Sequence, residues 1–310
     1  MRRITACFVV FLMLSASMWA MPVGTAARTV IPSDIQQIIS VDYRALRNSE
    51  TAMALKQRVL PDNVKQFEQA LRDVGIDPDR DLEQLTFVSF RAPKQGVKVI
   101  GIAQGQFPVK AVLKKMKLKK IVPKAYRNAS VYPMSNMQMT FLDDFTLVFG
   151  EESALHFALD TRDGMGQTLD SNPSIADQIT AVDSNPVWSV LDQQGTQNMM
   201  RSALGDAASL TDYEVIRKRL LASRYSMNFG SGVSFDLNVV TSDSITAATL
   251  SSLVQAGMVV RKMSASPIEK TALEQVNVES DSSDLHFKFR SDDKKFQSLL
   301  NSDLFAQVAR

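Results

Sequence analysis

Twice along the chain, two strand-like runs are joined by a short turn that contains glycine. Leu85 to Arg91 (LTFVSFR) meets Val97 to Phe107 (VKVIGIAQGQF) through Pro93-Lys94-Gln95-Gly96, and Arg224 to Gly230 lies just before Val233 to Thr241. Strands joined this tightly pair antiparallel, because a parallel pair needs a crossover of a dozen or more residues. The flanks of the two hairpins also correspond. Ile38 to Asp42 and Val187 to Asp192 are short strands that each end in Asp before a helix. A helix opened by Pro108 follows the first hairpin and Ser244 to Met263 follows the second, while Phe145 to Leu159 corresponds to Leu285 through Leu300.

The expected fold class is therefore α+β, with two similar subdomains, each a mainly antiparallel sheet with helices packed on one face. Residues 28–162 form the first and 187–310 the second. The polar stretch 163–186, punctuated by Gly164, Gly166, Pro173 and Pro186, is expected as a linker with one short helix. Tandem duplication accounts for the repeated order; two unrelated α+β domains are the other reading, because identity between the halves is low. Within the first half, Val64, Phe67, Leu71 and Val74 share one helical face that ends at Gly75. Ser244 to Val260 carries no charge, yet its Thr, Ser and Gln content suits a core helix better than a membrane span, with Leu250, Leu253, Val254 and Gly257 facing a sheet.

Residues 1–27 read as a signal peptide. Arg2-Arg3 precedes the apolar run Ala6 to Leu14, no charge appears from Ile4 to Ala27, and small residues at Gly24 to Ala27 allow cleavage after Ala26 or Ala27. Retention of the leader as an anchor is the alternative. Ile4-Thr5-Ala6-Cys7 precedes the hydrophobic run, where a lipobox would follow it, and Arg2-Arg3 lacks a twin-arginine context. The expected location is outside the cytoplasm, periplasmic or extracellular in a bacterium, with no transmembrane span in the mature chain. The only cysteine is Cys7, so the mature chain has neither disulfide nor thiolate chemistry.

Charge is segregated along the sequence. The whole chain has 35 Lys and Arg against 33 Asp and Glu, and loss of Arg2 and Arg3 balances the two. From Gln84 to Leu142, however, there are eleven bases and no acid, and from Asp143 to Ile216 thirteen acids against Arg162 and Arg201. The densest part is the run Lys110, Lys114, Lys115, Lys117, Lys119, Lys120 and Lys124. Bases interleaved with apolar residues suit an anionic surface, with a solvated helix as the plain alternative. Nucleic acid is disfavoured because no aromatic residue lies between Phe107 and Tyr126 to stack on bases.

Pro32-Ser33-Asp34, a strand ending in Val41-Asp42, the string Gly75-Ile76-Asp77-Pro78-Asp79-Arg80-Asp81-Leu82 and a hairpin ending in Gly105-Gln106-Phe107 resemble exported bacterial proteins of uncharacterised families. The resemblance spans Ile31 to about Leu159, and the second half only in layout. It implies an envelope protein of duplicated α+β type and supplies no activity.

No residue pattern points to a catalytic, cofactor or metal site. His286 reads as a solvated strand residue, and His156, with Glu152 and Asp160 four residues to either side, as part of a surface ion-pair stripe. A hydrolase built on His156 and carboxylates is the least favoured reading, since there is no Gly-x-Ser-x-Gly elbow. Asp77 to Glu83 alternates carboxylates like a calcium loop, but Leu82 stands where that loop needs Gly and Val88 where it needs Glu. Met134, Met137 and Met139 fit core packing better than copper binding, and no glycine pattern matches a nucleotide motif. The expected function is a non-enzymatic binding or scaffold module of the cell envelope, its partner an unknown envelope protein or an anionic surface. The alternative is a lipid- or envelope-polymer-binding protein using the lysine helix.

Overall fold

The first strands of the two halves pair with each other. In the computed structural model, which describes residues 22–60, 62–204 and 213–301, Ile35–Asp42 (β1) runs antiparallel to Val187–Leu191 (β8), with Ile39 opposite Ser189. The helix Thr25–Thr29 (α1) precedes β1. After β1 come the helices Tyr43–Arg47 (α2), Glu50–Val59 (α3), Asp62–Val74 (α4) and Pro78–Asp81 (α5), then the hairpin Leu82–Ala92 (β2) and Gly96–Gly105 (β3). Val109–Leu118 (α6) leads to Lys124–Tyr126 (β4), Ala129–Met134 (β5), Met137–Phe141 (β6), Thr146–Gly150 (β7) and Glu152–Asp160 (α7). Pro173–Thr180 (α8) precedes β8. The second half continues through Gln193–Leu204 (α9), Tyr213–Lys218 (α10), Leu220–Asn228 (β9), Val233–Thr241 (β10), Ser244–Ser264 (α11), Pro267–Glu274 (α12), Val276–Asp281 (β11), Asp284–Ser291 (β12) and Asp293–Leu300 (α13).

The strands form one antiparallel sheet in the order β11-β12-β10-β9-β8-β1-β2-β3-β7-β6-β5-β4. Read outward from the β1–β8 junction, β1-β2-β3-β7-β6 and β8-β9-β10-β12-β11 repeat the same order. The α+β class is as expected, but the two sheets are halves of a single one. Sequence patterning sets which residues face inward within a strand and says nothing of which free edges meet.

One face is mainly apolar across its width, with a buried polar spot at Ser189 and Ser223 near the junction. A single row runs Val278, Phe287, Leu237, Tyr225, Ser189, Ile39, Phe87, Gly101, Phe149, Met139, Tyr132 across successive strands. Phe149 lies across Gly101, where an added Cβ would fall 2.1 Å from Phe149 Cζ. Phe67 of α4 then stacks on Phe149 at 4.0 Å. Only a residue without a side chain admits this layering. α4 and α6 cover this face in the first half, and α9 to α13 cover it in the second. α3 crosses from the first half onto the second, placing Ala54 and Leu55 beside Phe296 and Leu300 of α13.

The opposite face changes character midway. Its central row runs Gly150, Ile100, Val88, Ile38, Val190 and then Arg224, Asn238, His286, Glu279. The apolar part is covered by α1, α7 and α8, whereas the polar part is open. α7 puts Ala154, Leu155, Ala158 and Leu159 on this face, but α13, its counterpart in chain order, packs on the other. Helices therefore cover both faces of the first half and of the junction strand β8, and one face only across β10, β12 and β11. Cross-strand pairs suit the open part to water: Arg290 binds Asp236 at 2.9 Å and Lys288 approaches Glu279 at 3.7 Å.

The stretch 163–186 contains the expected short helix, α8, and also contributes Leu169, Ile175, Ile179 and Val182 to the core. The cleavage positions Ala26 and Ala27 fall inside α1, where Ala27 is fully buried and Gly24 donates its amide to Gln104 at 3.2 Å. The rest of the leader, residues 1–21, lies outside the described residues.

Candidate binding surface

α6 owes its form to its spacing. Val112 and Met116 are buried, Val109 and Leu113 pack beside them, and Lys110, Lys114, Lys115 and Lys117 are left outside. Lys115 and Lys117 in the last turn also sit well with the negative end of the helix. The helix ends in a reversal in which Ile121 donates to the Met116 carbonyl and Lys120 to that of Lys117, both at 3.0 Å. Lys120 has φ +58°, the left-handed conformation usually given to glycine in this motif. The neighbouring helix α4 ends in the same reversal with Gly75, φ +98°. There the missing side chain makes room for Lys115, whose Nζ would lie 2.8 Å from a Cβ.

Beyond the reversal the chain reaches β4, the last strand at this end of the sheet. Tyr126 fixes this edge: its ring stacks on His156 with centroids 3.6 Å apart, and its hydroxyl donates to Asp160 at 3.0 Å. Arg127 pairs with the same carboxylate at 2.7 Å. His156 thus sits against an aromatic ring. The expected ion-pair stripe is not what holds it, because Asp160 is taken by Tyr126 and Arg127. His286 is half-buried on the open sheet face, its Nδ1 3.2 Å from Asn238. Among the described residues neither histidine hydrogen-bonds a hydroxyl group.

All seven lysines of the run are exposed. Lys119 approaches Asp73 at 3.9 Å, and among the described residues the other six form no ion pair. Of the eleven bases between Gln84 and Leu142, Arg91, Lys98 and Arg127 pair with Asp192, Glu151 and Asp160 of the acidic segment. Among the described residues no lysine of the run pairs with those acids. Leu118 and Val122 stand among the lysines, 75% and 71% exposed. Beside them a groove of about 410 Å³ opens between α4 and β5, with Ala70, Val74 and Met134 on its floor and Lys119 on its rim. Lysine offers mobile, hydrated point charges and no rigid fork, so the array suits a diffuse anionic surface better than one bidentate carboxylate or phosphate.

The other sites singled out from sequence have structural roles. Met134 and Met139 are core residues. Asp77 caps α5, and Asp79 is held by Lys56 at 3.1 Å and Arg72 at 2.7 Å. Although burial opposes its charge, Lys56 and Arg72 hold the Asp79 carboxyl below its usual range. That cluster escaped sequence reading because Lys56 comes from a different helix, α3.

No family model and no curated protein matches the chain. Among solved structures, crystal form I of TP0453 aligns over 91% of this chain and 96% of that one, with a TM-score of 0.49 and 8% identity. Crystal form III of TP0453 aligns over 90% and 97%, with a TM-score of 0.48 and 9% identity.

Proposed function

We propose that this chain is an exported, non-enzymatic binding module of the bacterial cell envelope, and that its lysine-rich end docks on an anionic lipid surface. The observation that carries this reading is the set of six exposed lysines that form no ion pair among the described residues, with exposed Leu118 and Val122 interleaved in the same stretch. Each lysine within a Debye length of an acidic leaflet contributes about 1 kcal/mol, and that length is about 8 Å at physiological ionic strength. α6 is about 15 Å long at 1.5 Å per residue, so several lysines reach one surface together. Leu118 and Val122 add an apolar contribution that salt does not screen. In this reading the halves are tandem copies, and only the first carries the basic helix.

Sedimentation with phosphatidylglycerol-containing vesicles tests the proposal. Binding should fall steeply as salt rises, be absent with zwitterionic vesicles, and weaken severalfold in the Lys110→Gln, Lys114→Gln, Lys117→Gln variant with its thermal midpoint unchanged. Salt-sensitive binding to a soluble anionic polysaccharide without binding to vesicles would assign the patch to an envelope polymer. No salt-sensitive binding to either leaves it a solvated face. Export is tested separately by N-terminal sequencing of the envelope fraction: a start at Ala27 or Arg28 supports it, and an intact Met1 in the cytoplasm refutes it.

A further inference from the structure

The stretch that carries the leader's small residues is also built into the core. Val23, Ala27, Val30 and Ile31 are buried, the last three completely. They join the cluster that holds Ile102, Leu159 and Ile175 on the face covered by α7 and α8. Polar contacts fix the same stretch: Arg28 pairs with Asp170 at 2.5 Å, Leu169 donates to the carbonyl of Ile31 at 2.8 Å, and Ser33 donates to that of Gln167 at 2.9 Å. Pro22 is exposed, so the chain enters the body at Val23.

Two of those small residues have a packing reason. A Cβ on Gly24 would fall 2.4 Å from Nε2 of Gln104, whose Oε1 accepts the Gly24 amide at 3.2 Å. Ala27 is closed off from water. A chain that began at Ala27 would set a charged amine at that place, and one that began at Arg28 would lose most of α1. Either would lose Val23 and the bond from Gly24 to Gln104. A leader peptidase meets the chain before it folds, so burial would not prevent such a cut, but the product would lack part of its own core. Small residues also stand directly behind the apolar run, at Ser15, Ala16 and Ser17 and then at Ala20.

We propose that the leader is removed by a cut ahead of Val23, within residues 15–22, and that residues 23–31 stay in the exported protein as part of its core. Within the export reading above, on which this rests, the processing site thus precedes the small residues 24–27. The uncharged stretch 4–27 then has two functions in series. Residues 6–14 serve export and are lost, while Val23 and Ala27 fill the fold and are kept. Each needs apolar residues for its own reason, which is why the two run together without a charge between them.

N-terminal sequencing and intact mass of the protein from the envelope fraction should give a start within residues 16–23. A start at Ala27 or Arg28 leaves export standing and overturns the inference, and an intact Met1 in that fraction overturns it too. An intact Met1 in the cytoplasm instead refutes the export reading, and the inference with it. Val23→Ala in the full-length gene supplies a second measure. In the protein recovered from the envelope it should lower the thermal midpoint by about 3 °C or more, with Thr25→Ala, at an exposed position, as the neutral control. If residue 23 is discarded with the leader, its substitution cannot reach the folded protein, so an unchanged midpoint likewise overturns the inference.

Discussion

Asp42 and Asp192 occupy equivalent places about the dyad that joins the halves. Asp42 accepts a hydrogen bond from the amide of Ala45 at 2.8 Å and Asp192 from that of Gly195 at 2.7 Å, each capping the helix that follows its strand. The backbone amide of Asp42 donates to Pro186 and that of Asp192 to Gln36. All three correspondences share one sequence offset of 150 residues, and the same offset places Ile39 opposite its own counterpart, Ser189.

The two caps should not be equal. Asp42→Ala removes one cap and should cost about 1 kcal/mol. Asp192 also binds Arg91 at 2.5 Å, in a pair less than one-third exposed on either side. Asp192→Ala should therefore cost about 2 kcal/mol. Urea unfolding of the two single variants measures both, and equal losses would remove Arg91 from the account.

Lys120 is expected to be replaceable at a gain. Lys120→Gly relieves a left-handed lysine and should raise stability by about 1 kcal/mol, moving the thermal midpoint up by roughly 2 °C. The same change should slightly weaken vesicle binding. Stability and binding moving in opposite directions is the result to look for by calorimetry and sedimentation.

The ion pair between Lys56 and Glu68, at 3.1 Å with both side chains about nine-tenths buried, ties α3 to α4. Glu68 also accepts from the hydroxyl of Tyr43 at 3.0 Å, and Lys56 lies 4.3 Å above the Tyr43 ring. Burial pushes the Tyr43 hydroxyl well above its usual range, and Glu68 adds to the effect. Lys56→Met leaves a buried carboxylate short of a partner and should cost about 3 kcal/mol. Lys56→Met with Glu68→Leu should recover most of that loss in denaturant unfolding.

Asp243 sets an acid limit. Its carboxylate accepts from the Thr246 amide at 2.8 Å, and this bond, with Ser242 and Arg219, lowers its pKa from 3.8 to about 2. A folded value below the unfolded one favours the native state above the unfolded pKa, and the contribution disappears as pH falls from 3.8 to about 2. Asp243→Asn should therefore be less stable than wild type by a constant margin above about pH 5, and the margin should close toward pH 2. A margin independent of pH in urea titrations would count against this.

The hairpins and the strands that end in Asp before a helix were legible because each depends on residues close in sequence: a turn, a change of period from strand to helix. Gly75 as a helix stop and Met139 as a core residue were legible for the same reason. What escaped depends on distant partners. No local signal in Gln37 to Asp42 tells which strand covers its free edge, and Trp188, 1% exposed, reads only as a buried residue. Nor does the pattern of α13 reveal that it crosses to the face opposite the one α7 uses, since both helices are amphipathic. His156 failed similarly, because Tyr126 is thirty residues away.

The junction of β1 with β8 also orders the events of folding. A chain made from its N-terminus completes β1 long before Val187 is available, so one edge of that strand, with Ile38 and Ile39 beside it, stays bare until more than half the polypeptide has been synthesised. The hairpin partner β2 protects only the other side. A nascent chain is thus adhesive at its centre, the part that becomes most buried at the end, and the interval before β8 arrives is when a holdase would be most needed.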